Sequence, residues 1–370
     1  MHGLDTAWAA DGPTIVRVDI LPCTQRQDDP EWKFARGSIT HIDGWLIRLE
    51  ASSGEQGWGH VLGTPIYAPQ SDRIAALLQR AVEGLAGASI WRLAEWETRW
   101  QALCPDDPCI RSGLQAAWLE LQCQRLQQPL HHRFGGARHQ QVPVTRLLPL
   151  KSPEQMAALA RARQAEGYRH LKIKLDGNVA LDLQRVEAVR AAVGAEMGLT
   201  ADANQAYALP DALRLIEGLQ PYGLEALEQP VAAADVAGLK RLRQAGRVPI
   251  EADEAIGSLT GLMHLLDQGA ADYYNLKLHY LGGITQTWMA MRLCEAAGVR
   301  YRMGAIFGPR LLVAQGLHLA AVAEHLLGGA ELAEFTHLLD DPFTGLDVEN
   351  GMLAVPSTVG SGVAWTARSA

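Results

Sequence analysis

The chain lacks long apolar runs: nowhere do about 18 apolar residues stand in succession, so a membrane-spanning helix is not expected. A secretory leader is not expected either. The opening MHGLDTAWAADGPT has neither the basic start nor the apolar stretch of a secretory signal, and a soluble, cytoplasmic protein is expected. Positive charge is not in excess: 33 Lys+Arg stand against 41 Asp+Glu, a net charge of −8, which argues against nucleic acid as a partner. The five cysteines, Cys23, Cys104, Cys109, Cys123 and Cys294, form no C-x-x-C pair. That pattern points away from zinc and from a disulfide framework, and towards buried free thiols. No G-x-G-x-x-G follows an early strand, which counts against a nucleotide-binding fold.

What is present divides near residue 140. At 370 residues the chain can hold two domains, one of them barrel-sized. Thr14–Pro22 and Gly44–Val61, the second broken by Ser52-Ser53-Gly54, read as a small antiparallel meander. Apolar residues at three- and four-residue intervals then predict helices over Ser71–Leu85, Ile90–Leu103 and Arg111–Gln127, with Ser71 and Ser89 as N-caps. From Val142 the pattern alternates strand and helix. The strands are VPVTRLLPL, RHLKIKL, GLTADAN, LEALEQP, VPIEADE, DYYNLKL, VRYRMGAI and ELAEFT. Eight such units favour an α/β fold closed as a (β/α)8 barrel. The expected division is an α+β capping domain over 1–138, a barrel over 139–340 and a segment over 341–370 returning to the cap.

Six charged residues stand at or near the ends of these apolar runs: Lys172, Lys174, Asp202, Glu228, Asp253 and Lys277. The last four follow one another at steps of 26, 25 and 24 residues, close to the roughly 30 residues of one βα unit. That spacing puts them on neighbouring strands at one rim, where three acids and several lysines can hold a divalent cation and set bases beside it. Any one of them alone reads as a solvated strand end. Together they do not, because Lys172 and Lys174 alternate with Leu171, Ile173 and Leu175, and unpaired buried charge is costly. Alternation also sends both ammonium groups to the same side of the strand.

K-x-K on the second barrel strand, D-A-N on the third, E-Q-P on the fourth, A-D-E on the fifth and lysine on the sixth resemble the enolase superfamily. The joint pattern is similar to its muconate lactonizing enzyme subgroup, within the mandelate racemase/muconate lactonizing enzyme family. The resemblance spans nearly the whole chain, including LHHRFGGAR before the barrel and the Gly/Pro-rich tail. It implies that Asp202, Glu228 and Asp253 bind Mg2+, with Mn2+ able to substitute. It further implies that Lys174 and Lys277 are acid/base groups on opposite faces of the substrate, that Lys172 assists, and that the protein is a homo-oligomer.

The chemistry explains these residue types. Taking a proton from carbon beside a carboxylate creates a second negative charge, so the site must supply positive charge where it develops. Mg2+ takes oxygen ligands and keeps open positions for substrate and water. The base lysine must be neutral near pH 7, far below the free value of about 10.4, and burial beside another cation lowers it. Asn204 is either a turn residue or an orienting partner of Asp202, and Glu254 either a helix-start acid or a partner to a lysine or ligand. Glu334 either touches substrate or starts a helix. The loop Gln25–Ser38 and the turn near Gly63–Pro69 would form a lid by resemblance, with Trp32 and Phe34 facing a ligand or anchoring the loop. Ile306 and Phe307 suggest an apolar wall, with Arg310 too far along to join it. Three functions fit: a racemase or epimerase of an amino-acid derivative or other small chiral carboxylate, a lyase such as a dehydratase or muconate-type cycloisomerase, and a non-catalytic binding protein.

Overall fold

The computed structural model describes residues 12–66 and 71–366. The first eleven residues, the outer part of the turn near Gly63–Pro69 and the side chain of Ser71 lie outside the described residues. The expected meander is a three-stranded antiparallel sheet, β1 (Ile15–Arg26), β2 (His41–Ala51) and β3 (Gln56–Leu62), in the order β1-β2-β3. Helices α1 (Ser71–Val82), α2 (Leu93–Leu103) and α3 (Pro108–Leu126) pack on it. Gly57 and Gly59 let α3 approach closely: a Cβ at either would collide with the carbonyls of Ala117 and Gly113. Trp96, Trp100 and Trp118 pack together beneath, with ring centroids 5.9–6.3 Å apart, and the indole N–H groups of Trp100 and Trp118 donate to Ala81 O and Ile90 O. Buried indoles need such acceptors. Ser89 does not cap α2. It bridges Thr14 in the sheet region, and the helix begins later, after Arg92.

The second unit is a curled parallel sheet of seven strands with helices outside it, matching a TIM-type barrel with a capping domain. Its strands are β4 (Thr145–Leu148), β5 (His170–Lys174), β6 (Gly198–Asp202), β7 (Ala226–Glu228), β8 (Ile250–Ala252), β9 (Tyr273–Lys277) and β10 (Arg300–Gly304), hydrogen-bonded in sequence order. Between them run α4 (Pro153–Ala165), α5 (Val179–Val193), α6 (Leu209–Leu219), α7 (Val236–Ala245), α8 (Leu259–Gln268), α9 (Leu278–Leu281) and α10 (Ile284–Ala296), with α11 (Arg310–Val322) after β10. Local signals start these helices: Ser152 and Gln155 form a capping box on α4, and Asn178, Asp235 and Ser258 cap α5, α7 and α8.

The eighth strand is not built as expected. The chain between β10 and β4 makes isolated parallel bridges, Tyr301 to Leu326, Gly304 to Glu331 and Val144 to Ala330. Backbone hydrogen bonds from Thr145 N to Ala330 O and from Glu331 N to Met303 O close the gap. Glu334–His337 is a 3-10 turn rather than the end of a strand. Gly328 and Gly329, the latter at φ +71°, interrupt regular extension at this point. After it the tail turns back: Met352–Ala354 pairs with Gln141–Pro143, Trp365 stacks on Trp58 at 4.6 Å, and Ser361 N donates to Glu120 at 2.9 Å. All five cysteines are free thiols. Among the described residues no helix is long and apolar enough to cross a membrane.

Candidate active site

Parallel register sets the site. Lys174 lies opposite Asp202 and Asp202 opposite Glu228, so β5, β6 and β7 bring them to one level at the C-terminal end of the sheet. Asp253 follows the end of β8 and Lys277 ends β9. With Lys172, these residues are all 9% exposed or less. The backbone just past the acids is left-handed, at Asn204 (φ 40°), Gln205 (φ 70°) and Gln229 (φ 35°). Such strain persists only where surroundings impose it. Here the side-chain carbonyl of Gln229 accepts from the N–H of Asp253 (3.0 Å) and Ala255 (3.1 Å), tying the ends of β7 and β8 together.

The side chains converge as ion pairs. Lys172 Nζ reaches Glu331 Oε1 at 2.7 Å and Asp202 Oδ2 at 3.1 Å, and also contacts Glu228. Lys174 Nζ lies 2.5 Å from Asp202 Oδ2 and 3.1 Å from Asn204 Oδ1. Lys277 Nζ lies 2.5 Å from Asp253 Oδ2 and 3.8 Å from Glu228 Oε1. Lys174 and Lys277 therefore stand at opposite ends of the carboxylate row on β6, β7 and β8.

Of the weaker candidates, Asn204 joins both roles offered for it: it sits in a turn, its N–H donates to Asp202, and its amide donates to Glu254 at 3.2 Å. Glu254, Glu334, Trp32 and Phe307 all line the same cavity, as do Phe34 and Ile306. Trp32 packs edge-on against Phe307 at 5.2 Å and His337 at 4.5 Å. Arg310 is drawn away to Asp341 and the Leu346 carbonyl. Sequence reasoning missed Glu331, which accepts from Lys172 and from Asn275 (3.0 Å) and bridges Gly304, the register partner of Lys277. Its signal was present in ELAEFT, where two acids compete and only the level of Lys277 selects the first. Asn275, Gln229, Arg36 and Tyr280 were also passed over; the last two line the cavity.

Lys172 and Lys277 are not depressed. Burial alone would lower Lys172 and Lys277, but Asp202, Glu228 and Glu331 around the first, and Asp253, Glu228 and Glu331 around the second, hold both well above the usual lysine range. Burial and neighbouring acids push Glu228 well up, Glu254 to about 7 and Glu334 to about 8. Glu331 falls to about 2, because Lys172, Lys277 and Arg302 outweigh its burial.

Among the described residues no three His, Cys, Asp or Glu side chains stand ready as a metal cage. The row acids are turned onto lysine ammonium groups instead. The donor set nevertheless suits a hard divalent ion. Asp253 Oδ1 is buried without a partner, and five acids, Asp202, Asp253, Glu254, Glu331 and Glu334, line the cavity beside Arg36, Lys172, Lys174 and Lys277, with Glu228 against Lys172 just beneath. Oxygen donors with surplus negative charge are what Mg2+ requires.

Residues 155–369 match the family model described as enolase C-terminal domain-like. The chain belongs to the enolase superfamily. Within its mandelate racemase/muconate lactonizing enzyme subgroup, this superfamily member is similar to the hydrophobic dipeptide epimerase of Enterococcus faecalis, at 30% identity over 84% of this chain and 88% of that one. A dipeptide epimerase of Cytophaga hutchinsonii, solved with Mg and the dipeptide D-Ala-L-Val, matches with a TM-score of 0.91 at 27% identity, covering 95% of this chain and 96% of that one. A muconate lactonizing enzyme of Pseudomonas fluorescens, solved with muconolactone, matches at TM-score 0.91 and 25% identity, over 96% and 98% of the two chains. As a superfamily member, this protein is an enzyme of the racemase, epimerase or lyase kind.

Proposed function

We propose that the enzyme inverts the carbon next to the carboxylate of an amino-acid derivative, with a dipeptide as the favoured form. The observation that carries this is the placement of Lys174 and Lys277 at opposite ends of the carboxylate row, each 2.5 Å from a different terminal acid. With the row carboxylates turned from the ammonium groups to the divalent ion, the charges that hold a lysine protonated are taken up; a neutral lysine on one side can then take the α-proton as the C–H bond breaks, and the ammonium on the other side gives a proton to the opposite face. Inversion follows from the two-sided arrangement. Mg2+, held by Asp202, Glu228 and Asp253, would supply positive charge against the negative charge developing on the substrate carboxylate. Lys172, fixed by three acids, keeps that charge balanced. Tyr280 and Phe34 lie under Lys277 and Lys174, with the ammonium groups 5.9 and 5.7 Å from the ring centroids.

Glu254, Glu334, Trp32 and Phe307 are the proposed substrate contacts, Glu334 through its buried, unmatched Oε2. Residues 1–138 act as the cap over the barrel of 139–340, with 341–370 packed on that cap. A small-molecule substrate, a cytoplasmic setting and a homo-oligomer complete the proposal. A second reading, a cycloisomerase or other lyase, has the support of the likeness to the muconate lactonizing enzyme.

Incubation with chiral N-acylated amino acids and dipeptides in D2O separates them. Gain of one deuteron with inversion at the exchanged carbon, seen as the second epimer of a dipeptide or as loss of optical activity of an N-acylated amino acid, is the expected result; a product of new mass or unsaturation would replace the reading by the lyase one.

A further inference from the structure

Gln25 and Gln27 are 1% and 5% exposed, and all four of their side-chain nitrogen and oxygen atoms are buried without a hydrogen-bond partner. Buried amides are matched almost without exception in folded proteins. The two alternate with exposed Arg26, so both project from one face of the extended segment. On that face Ile42 is the register partner of Gln25, and Leu338 bridges Gln27. Ile42 and Leu338 belong to an apolar cluster with Trp32, Phe34, Leu147, Ile306 and Phe307. Those last five also line the active-site cavity. The amides therefore stand on the lid side of the wall that bounds the site.

The wall is closed over a cavity of about 50 Å³. This is far below the roughly 300–1,000 Å³ of ligand pockets, so a substrate must displace wall residues and reach what stands behind them. Of the charges in the same lid segment, Arg26 pairs with Asp340, Asp29 with Lys151 and Asp28 with Arg146, and Lys33 is exposed. Arg36 donates to the Ile66 carbonyl. The buried polar groups that this segment leaves for a newcomer are two neutral amides, each both donor and acceptor. They are spaced by two strand residues, about 6.7 Å, the repeat of an extended peptide.

We propose that Gln25 and Gln27 form the subsite for the part of the substrate distal to the reacting carboxylate, and that this part is neutral and amide-bearing. The inference rests on the epimerase reading above. It assigns the substrate class as dipeptides with an uncharged carboxamide side chain, such as Gln or Asn, in preference to aliphatic or charged ones.

The test compares the wild type with Q25M/Q27M, a replacement that keeps volume and removes the amides. Two measurements are made: Tm without substrate, and kcat and KM for α-deuterium exchange on L-Ala-L-Gln, L-Gln-L-Ala and their isosteres L-Ala-L-Leu and L-Leu-L-Ala. The wild type should favour one glutamine dipeptide over its leucine isostere by at least tenfold in kcat/KM, about 1.4 kcal/mol. The double variant should lose that preference through KM, while its substrate-free Tm rises because unmatched buried amides are gone. A fall in Tm with equal kinetic losses on both isosteres would assign the amides a structural role and overturn the proposal. So would a wild type that exchanges these dipeptides without preferring the carboxamide. No exchange on any of the four would overturn the subsite proposal, and no exchange on N-acylated amino acids or other dipeptides either would remove the epimerase reading as well.

Discussion

Replacing Arg302 by leucine should destabilise the protein by about 4–6 kcal/mol. Its guanidinium is 1% exposed inside the barrel, with Nε 2.9 Å from Glu251 Oε1. It also donates to the carbonyls of Gly328 (3.0 Å) and Gly329 (2.6 Å), in the stretch that closes the barrel where an eighth strand was expected. Removal strands the Glu251 carboxylate, about 3–5 kcal/mol for a broken buried pair, and takes a donor from the carbonyls of Gly328 and Gly329, the latter keeping Thr145 Oγ1 at 2.7 Å, about 1 kcal/mol together. This is a large share of a typical stability of about 5–15 kcal/mol. Burial already raises the Glu251 pKa, and Arg302 opposes it. Without Arg302 the folded state would hold that proton to higher pH than the unfolded chain does, so the loss should deepen as pH rises above the ordinary carboxylate range. Urea midpoints and Tm values of R302L, E251L and R302L/E251L between pH 5 and 8 measure this. The double variant should recover about 2–4 kcal/mol relative to the summed singles, since an apolar pair replaces an ion pair at little cost. A single R302L variant within about 1 kcal/mol of wild type, or a double variant with no recovery, would refute the reasoning.

Burial pushes Glu120 up to about 7, against hydrogen bonds from Gln124 and Ser361. The folded state thus keeps a proton that the unfolded chain loses near pH 4.3, and up to about 3 kcal/mol of stability should disappear as pH rises from about 4.3 to about 7. E120Q should flatten that slope in a Tm–pH series; an unchanged slope would count against the assignment. Asp253→Asn should weaken Mg2+ binding roughly tenfold or more by calorimetry and abolish turnover, and an EDTA-treated enzyme with full turnover would contradict the metal reading. Phe343, 1% exposed and edge-on to Trp58 and Trp365, anchors the tail. F343A should cost about 3–5 kcal/mol and make the tail after Pro342 the first site of proteolytic cleavage.

Much of this was legible in the sequence because barrel strands end in polar residues at a regular step. Asp202, Glu228 and Lys277 end consecutive strands of the sheet's order and Asp253 stands just past the end of the strand between the last two, as their spacing required. ELAEFT was harder to read: its composition suits a strand, but Gly328 and Gly329 precede it, and the chain makes only bridges there. Lys172 and Lys277 carry raised rather than lowered pKa values because the number of carboxylates crowding them depends on tertiary convergence. Glu331 enters that crowd from the last barrel segment of the chain, 159 residues after Lys172. Ser89 resembled a cap, yet the preceding strand contact with Thr14 held it outside the helix. Gln25 and Gln27 stood in a charged, polar loop, where nothing local announces burial.

The most direct test of the two-lysine account is stereospecific deuterium exchange by Lys174→Ala and Lys277→Ala, with Mg2+ and each enantiomer of a substrate found in the D2O screen. Each variant should keep one base on one face. It should therefore exchange the α-proton of a single enantiomer without inverting it, and the two variants should choose opposite enantiomers. Inversion by either variant, or the same enantiomer chosen by both, would contradict the account.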